Sequence, residues 1–273
     1  MTERALSLVL VGAGKMGSAL LGGWLGRGID GKSITIVDPA PSEETQMAAR
    51  YKSVRVNPAI AEIAAPAVLF LAIKPQTLDE AASQIAPLVG PQTLLLSILA
   101  GKTTGNLKAR LPAATGIVRA MPNTPAAIRR GISAAYATAE VSVAQRATAD
   151  ELLSAVGRVE WLDDESHLDA VTAVSGSGPA YVFLLAECLA EAGAAAGLPP
   201  DLAARLARTT VEGSGELMHR SPEKAVSRLR EEVTSPGGTT AAALTILMGE
   251  SGLRKLMEAA VEAAKRRAAE LSG

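Results

Sequence analysis

A chain of 273 residues, 48% apolar and 20% charged, is long enough for two ordinary domains, each with its own core. A formal net charge of -1 offers no basic field to draw in nucleic acid. The one basic run, Lys265-Arg266-Arg267, ends a helical pattern, where cations suit solvent and the helix dipole.

One cysteine, Cys188, excludes an internal disulfide and a multi-thiolate metal site, so no metal centre is expected. Its apolar neighbours, Leu184-Leu185-Ala186 and Leu189, mark it as a small core residue. The apolar run ending at Val11 is too short for the hydrophobic region of a signal peptide. No stretch reaches the ~18–20 charge-free apolar residues of a membrane span, so a cytoplasmic protein with no membrane partner is expected.

In chain order, Leu6–Val11 is a short run of β-formers stopped by Gly12: a buried strand. A helix over about Met16–Arg27 leads to a second strand, Ser33–Val37, closed by Asp38-Pro39. A helix around Glu43–Tyr51 precedes a third strand, Ala67–Ile73, broken at Lys74-Pro75; another, at about Leu78–Leu88, precedes a fourth, Thr93–Ile98. Gly116–Arg119, Ile132–Ala137 and Val159–Leu162 read as further strands of one sheet. Alternation of strand and helix implies right-handed crossovers and a parallel sheet covered on both faces. Beyond Asp163 the chain turns helical and rich in Ala, Leu, Glu and Arg. Ser221-Pro222 reads as a helix start, and Gly197 followed by Pro199-Pro200 as a stop and restart. So Ala-rich a helical region buries little area per residue, and a partner subunit is expected to complete its core.

Gly12-Ala13-Gly14-Lys15-Met16-Gly17 joins the first strand to the first helix. Gly12 permits the tight turn, Gly14 a close approach of the backbone to a pyrophosphate, and Gly17 close packing of helix on strand. The helix start then offers free N–H groups and the positive dipole end to phosphate. Asp38, about 20 residues on, stands where a carboxylate accepts ribose hydroxyls and repels a 2′-phosphate, which favours NADH over NADPH. An ordinary Asp-Pro turn is the bland alternative. Lys74-Pro75 ends the third strand at the carboxyl edge of the sheet, where a cofactor or plain solvent receives the lysine equally well. The expected fold is α/β: a Rossmann-type doubly wound sheet over 1–163 that binds a dinucleotide, then an all-helical dimerisation and substrate domain over 164–273.

Three more segments resist explanation by packing. Arg119-Ala120-Met121-Pro122-Asn123-Thr124-Pro125 places two prolines around polar residues directly after a strand. Ser175-Gly176-Ser177-Gly178-Pro179-Ala180-Tyr181 puts two glycines in a helical stretch at about 1 kcal/mol each against alanine, which points to close backbone approach or a ligand. Ser235-Pro236-Gly237-Gly238-Thr239-Thr240 is a hydroxyl-rich loop running into a helix, a start suited to holding a carboxylate.

With the glycine loop and Ala72-Ile73-Lys74-Pro75, these segments closely resemble the pyrroline-5-carboxylate reductases, in order and over residues 8 to 271. The resemblance implies reduction of 1-pyrroline-5-carboxylate to L-proline by NADPH or NADH. It implies a homodimer with interlocked helical domains, each active site lying between the nucleotide domain of one subunit and helices of the other, and often a ring of dimers. Carried onto this chain, Ser235 and the N–H groups of Gly238 and Thr239 hold the carboxylate, with Gly237 and Ser177 beside it, and Thr240 meets the imine nitrogen. Lys74, Pro75, Ala100-Gly101 and Asn123 belong beside the cofactor. Ile98-Leu99 stand where smaller residues are expected, and Asp38 where the family often has a small hydroxyl residue.

An iminium is far more electrophilic than an imine, so protonation matters more than a strong base. Thr240 is a poor acid, which leaves it orientation and relay. His167 and His219 sit at helix ends, where solvent or the dipole accounts for them. Two other readings stay open: a β-hydroxyacid dehydrogenase or related imine reductase, disfavoured because residues 175–181 hold no lysine, and a non-catalytic dinucleotide sensor, disfavoured by the loop at 235–240.

Overall fold

The computed structural model describes residues 6–272. The chain divides into two compact units: Ser177–Ala264 forms one, and the chain through Gly176 together with the segment from Lys265 forms the other.

In the first unit, four short apolar runs make the parallel centre of a sheet: β1 (Leu8–Val11), β2 (Ile34–Val37), β4 (Val68–Leu71) and β5 (Leu94–Ser97). Alternate side chains serve opposite faces. Leu8 and Leu10 pack with Leu20, Leu21 and Trp24 of helix α1 (Lys15–Gly26), whereas Val9 and Val11 join Leu78 and Ile85 of α3 (Leu78–Ile85) and Leu107 of α4 (Thr104–Arg110). Burial on both faces is why these strands are continuously apolar instead of alternating. Trp24 is fully buried, edge-on to Phe70 with ring centroids 5.3 Å apart, and its indole N–H donates to the Leu152 carbonyl at 2.8 Å. That bond ties α1 to α5 (Val143–Ser154).

The full sheet has eight strands in the order β3-β2-β1-β4-β5-β6-β7-β8, with β3 at Arg55–Val56, β6 at Gly116–Met121, β7 at Gly131–Ala137 and β8 at Gly157–Leu162. Helix α2 (Glu43–Lys52) links β2 to the short edge strand β3, which the sequence pattern did not reveal. The expected wholly parallel sheet needs one correction: β7 runs antiparallel to β6, while β8 returns parallel to β7. Only a 3-10 turn at Thr124–Ile128 separates β6 from β7, which leaves no room for a crossover helix.

Past β8, α6 (His167–Val171) buries Leu168 in the first unit and passes into a π turn at Thr172–Gly176. The compact units therefore part at Gly176/Ser177, later than the 163/164 boundary expected above. The second unit holds α7 (Gly178–Ala195), α8 (Pro200–Arg220), α9 (Val226–Glu232) and α10 (Thr239–Leu247); α11 (Leu253–Ser272) starts there and its last residues belong to the first. Gly197, at φ +103°, and Pro200 at the first turn of α8 make the expected stop and restart. Ser221, in contrast, terminates α8 rather than capping a new helix: Lys224 N–H bonds the Ser221 carbonyl in a turn, and α9 begins only at Val226.

One further reading changes. Cys188 is exposed, because α7 has no buried residue in the single chain. The stretch His167–Ala195 is long and apolar enough to cross a membrane by length and composition alone, a weak signal, and 6% of its most apolar 18 residues are buried. A π turn and a Ser-Gly-Pro step interrupt that stretch, and Val182, Phe183, Leu184 and Leu185 leave α7 exposed and apolar all round.

Candidate functional site

The glycine loop adopts the geometry its composition suggests. Gly12 takes φ +92°, where a Cβ would also lie 2.7 Å from the Ala72 carbonyl oxygen at the end of β4. Only glycine satisfies both conditions. A Cβ on Gly17 would meet the Gly12 carbonyl at 2.3 Å and the Ala72 side chain at 3.6 Å, so α1 starts flush against the strand ends. Gly14, the N-cap of α1, has open space within 4 Å and no side-chain cap, and it is followed by Lys15 and Met16 in the first turn. An uncapped start of a 12-residue helix beside open space fits a pyrophosphate.

Asp38 follows β2 and is held on all sides. Its Oδ2 accepts the Ala13 N–H, and its Oδ1 accepts the Ala40 N–H at 2.7 Å. The Asn57 side chain closes a second pair of bonds, accepting the Asp38 N–H at 2.9 Å and donating to the Asp38 carbonyl at 2.7 Å. Beneath the loop, Ser18 donates to the Ala13 carbonyl at 2.8 Å and lies within 3.4 Å of the Thr45 hydroxyl. Ser42 caps α2 by accepting the Thr45 N–H. Sequence reasoning points to Asp38 and to Thr45 as a hydroxyl near it; it misses Asn57 and Ser18, because nothing in a linear pattern marks a residue whose partner lies 19 or 27 positions away.

At the carboxyl edge, Lys74 is exposed, and its carbonyl accepts from the Thr77 N–H and hydroxyl, holding Pro75 in a 3-10 turn. Leu99 is buried in the core face shared with α3 and Ile98 packs on the opposite face, which accounts for their size. Ala100 is half-buried and Gly101 buried; a Cβ on Gly101 would lie 2.8 Å from the Leu271 carbonyl oxygen, so the end of α11 abuts this loop. Asn123 uses its side-chain oxygen to accept the Ile132 N–H at 2.9 Å, tying the loop after β6 to the start of β7.

Arg119, only 5% exposed, pairs with Glu165 at 3.1 Å. The same carboxylate accepts the Thr104 N–H at 2.7 Å and hydroxyl at 2.6 Å, joining β6, the start of α4 and the chain entering α6. Two residues past Arg119, the Met121 methyl lies 2.8 Å from where a Cβ on Gly176 would stand, so the second and third polar segments meet through a glycine. Glu165 was not singled out in the sequence.

In the second unit, Ser235–Gly238 forms a turn in which the Ser235 carbonyl accepts the Gly238 N–H at 3.0 Å and Gly237 takes φ +69°. Gly238 is the N-cap of α10 and lacks a side-chain cap, with Thr239 and Thr240 in the first turn. Ser177 occupies the same position for α7, again uncapped. Among the described residues no group of three or more His, Cys, Asp or Glu is placed to hold a metal ion.

A doubly wound sheet with a glycine loop at its carboxyl edge, followed by a largely exposed helical unit, defines a dinucleotide-dependent oxidoreductase with an oligomerisation domain. Two family models agree: residues 165–271 match pyrroline-5-carboxylate reductase dimerisation, and residues 7–101 match NADP oxidoreductase coenzyme F420-dependent. Pyrroline-5-carboxylate reductase of Pseudomonas aeruginosa is 42% identical across 97% of this chain and 96% of its own. That of Haemophilus influenzae is 36% identical across 97% of both. The pyrroline-5-carboxylate reductase structure from Coxiella burnetii superposes with a TM-score of 0.90 at 32% identity, covering 99% of this chain and 100% of its own. The Plasmodium falciparum enzyme, solved with NADP bound, gives 0.81 at 28% identity over 98% of both. The chain belongs to the pyrroline-5-carboxylate reductase family.

Proposed function

We propose that this chain reduces the C=N bond of 1-pyrroline-5-carboxylate to give L-proline, with NADPH or NADH as the reductant. The observation that carries the reading is full-length similarity to reductases of that substrate, 42% identical over 97% of the chain, in a molecule whose glycine loop and hydroxyl-rich helix start both have anion-binding geometry. When bound, the coenzyme supplies the hydride. Gly12–Gly17 cradle its pyrophosphate; Asp38 takes the adenosine ribose; Ala72, Lys74, Pro75, Ala100, Gly101 and Asn123 border its nicotinamide half.

Ser235, with the N–H groups of Gly238 and Thr239, grips the substrate carboxylate, aided by Gly237 and Ser177. Thr240 orients the imine nitrogen and relays its proton, because a hydroxyl is too weak an acid to donate outright at neutral pH. Orientation and exclusion of water are the larger part of what the protein contributes. Residues 164–273 serve dimerisation and substrate binding. Helices α7 and α10 have no buried residue in the single chain, and Phe183 is 64% exposed, which supports a homodimer; a ring of dimers is the larger assembly that the family resemblance implies.

Replacing Thr240 with alanine tests the site. Turnover should fall by at least about tenfold while coenzyme affinity is kept, since the lost hydroxyl serves the reacting nitrogen alone. Unchanged turnover overturns the assignment.

A further inference from the structure

We infer that Asp38 makes this chain favour NADH over NADPH, through a carboxylate that cannot turn away from the coenzyme. The inference rests on the proposed use of a nicotinamide dinucleotide and concerns only which one.

Both oxygens of the Asp38 carboxylate are held by main-chain N–H groups, one from Ala13 in the glycine loop and one from Ala40. The residue's own N–H and carbonyl are clamped by Asn57. Rotation about the side chain would orphan an amide of the loop that holds the pyrophosphate, so the negative charge is fixed at the end of β2. Each carboxylate oxygen keeps a lone pair beyond the one that accepts an amide, enough to receive the ribose hydroxyls. A 2′-phosphate in that place brings about -1.5 to -2 charge against the fixed carboxylate.

Within the segment from β2 through α2 to β3, nothing offsets the repulsion. No Lys or Arg occurs between Ile34 and Ala49, and Glu43 and Glu44 lie in the first turn of α2. Arg50 and Lys52 belong to the last turn of α2, roughly 10 Å further along the helix. Arg55 on β3 is in register with Thr35, about 10 Å back along β2 from Asp38. The hydroxyls of Ser42 and Thr45 are engaged with each other at 3.0 Å and with the cap of α2. A cationic clamp for the phosphate is missing from this segment and a fixed anion stands in its place.

The test is equilibrium titration of the full chain with NADH and, separately, NADPH, without substrate. NADH should bind at least about tenfold more tightly. Asp38→Asn keeps an acceptor for Ala13 and removes the charge, and should shrink the ratio by about tenfold, mainly by strengthening NADPH. Should that variant lose both coenzymes through collapse of the loop, the double variant Glu43→Gln, Glu44→Gln decides: NADPH should bind about twofold more tightly and NADH unchanged. Equal affinities in the unsubstituted chain overturn the inference, as does a ratio that neither variant moves. Because no substrate is present, these outcomes are separate from the proposed reaction: equal affinities for the two coenzymes would refute this preference and leave that reaction standing.

Discussion

Substituting Glu165 with alanine should destabilise the first unit by about 3–4 kcal/mol. The figure follows from what the carboxylate holds: the Arg119 guanidinium, with a side chain only 6% exposed, and both the N–H and hydroxyl of Thr104. Breaking a wholly buried ion pair costs about 3–5 kcal/mol. Glu165 is 22% exposed, so water reaches part of the vacated site and about 2–3 kcal/mol is the fitting share. The stranded Thr104 donors add about 1 kcal/mol. Glu165→Gln keeps an acceptor for Thr104 and should cost about half as much. Both tryptophans, Trp24 and Trp161, lie in the first unit, so urea unfolding followed by their fluorescence reports on that unit, at one fixed protein concentration. Replacing the pair together, Arg119→Met with Glu165→Leu, should cost less than Glu165→Ala alone, because no charge is left buried. An alanine variant within about 0.5 kcal/mol of the parent would refute the reasoning.

Other expectations follow from single contacts. Gly12→Ala meets both an unfavourable φ and the Ala72 carbonyl, so the loop must shift; titration should show coenzyme affinity lowered by at least about tenfold, and an unaltered affinity contradicts the loop assignment. Trp24→Phe removes the donor to Leu152 and part of a fully buried ring, and should lower unfolding stability by about 2 kcal/mol in the same fluorescence assay, read through Trp161. The Asp164 carboxyl is held below its ordinary value of 3.8, first by the Ser166 N–H and next by the Ser166 hydroxyl. A depressed folded-state value stabilises above the unfolded value and is lost as pH falls through the folded one. Asp164→Asn should therefore be less stable than the parent at neutral pH, with the gap closing well below 3.8; a gap that widens on acidification has the wrong sign.

The strands were legible because each is an unbroken apolar run bounded by glycine, proline or aspartate, the pattern of a strand covered on both faces. Strand direction was not, since the side-chain pattern of β7 is the same run either way; only the short link through Thr124–Ile128 carries that information. Gly12 and Gly17 could be assigned roles from spacing, and the structure gives each a backbone neighbour that explains it. Asp38 was legible as an acid at a strand end, but its bond to Ala13 arises from how the loop folds back over β2. Glu165 lies 46 positions from Arg119, beyond any local pattern. Cys188 has the apolar neighbours of a core residue, but α7 leaves those neighbours exposed in the single chain, and no sequence pattern distinguishes the two cases. Ser221-Pro222 misled because a capping pair also suits a turn at the end of a helix.

The most direct test of the account is to follow the hydrogen itself. With a reduced coenzyme carrying deuterium at both nicotinamide C4 positions and pyrroline-5-carboxylate as acceptor, the proline formed should carry one deuterium. It should sit on the ring carbon next to nitrogen that does not bear the carboxylate. Proline free of label, or no proline at all while the coenzyme binds normally, would contradict hydride transfer to the C=N carbon by this chain.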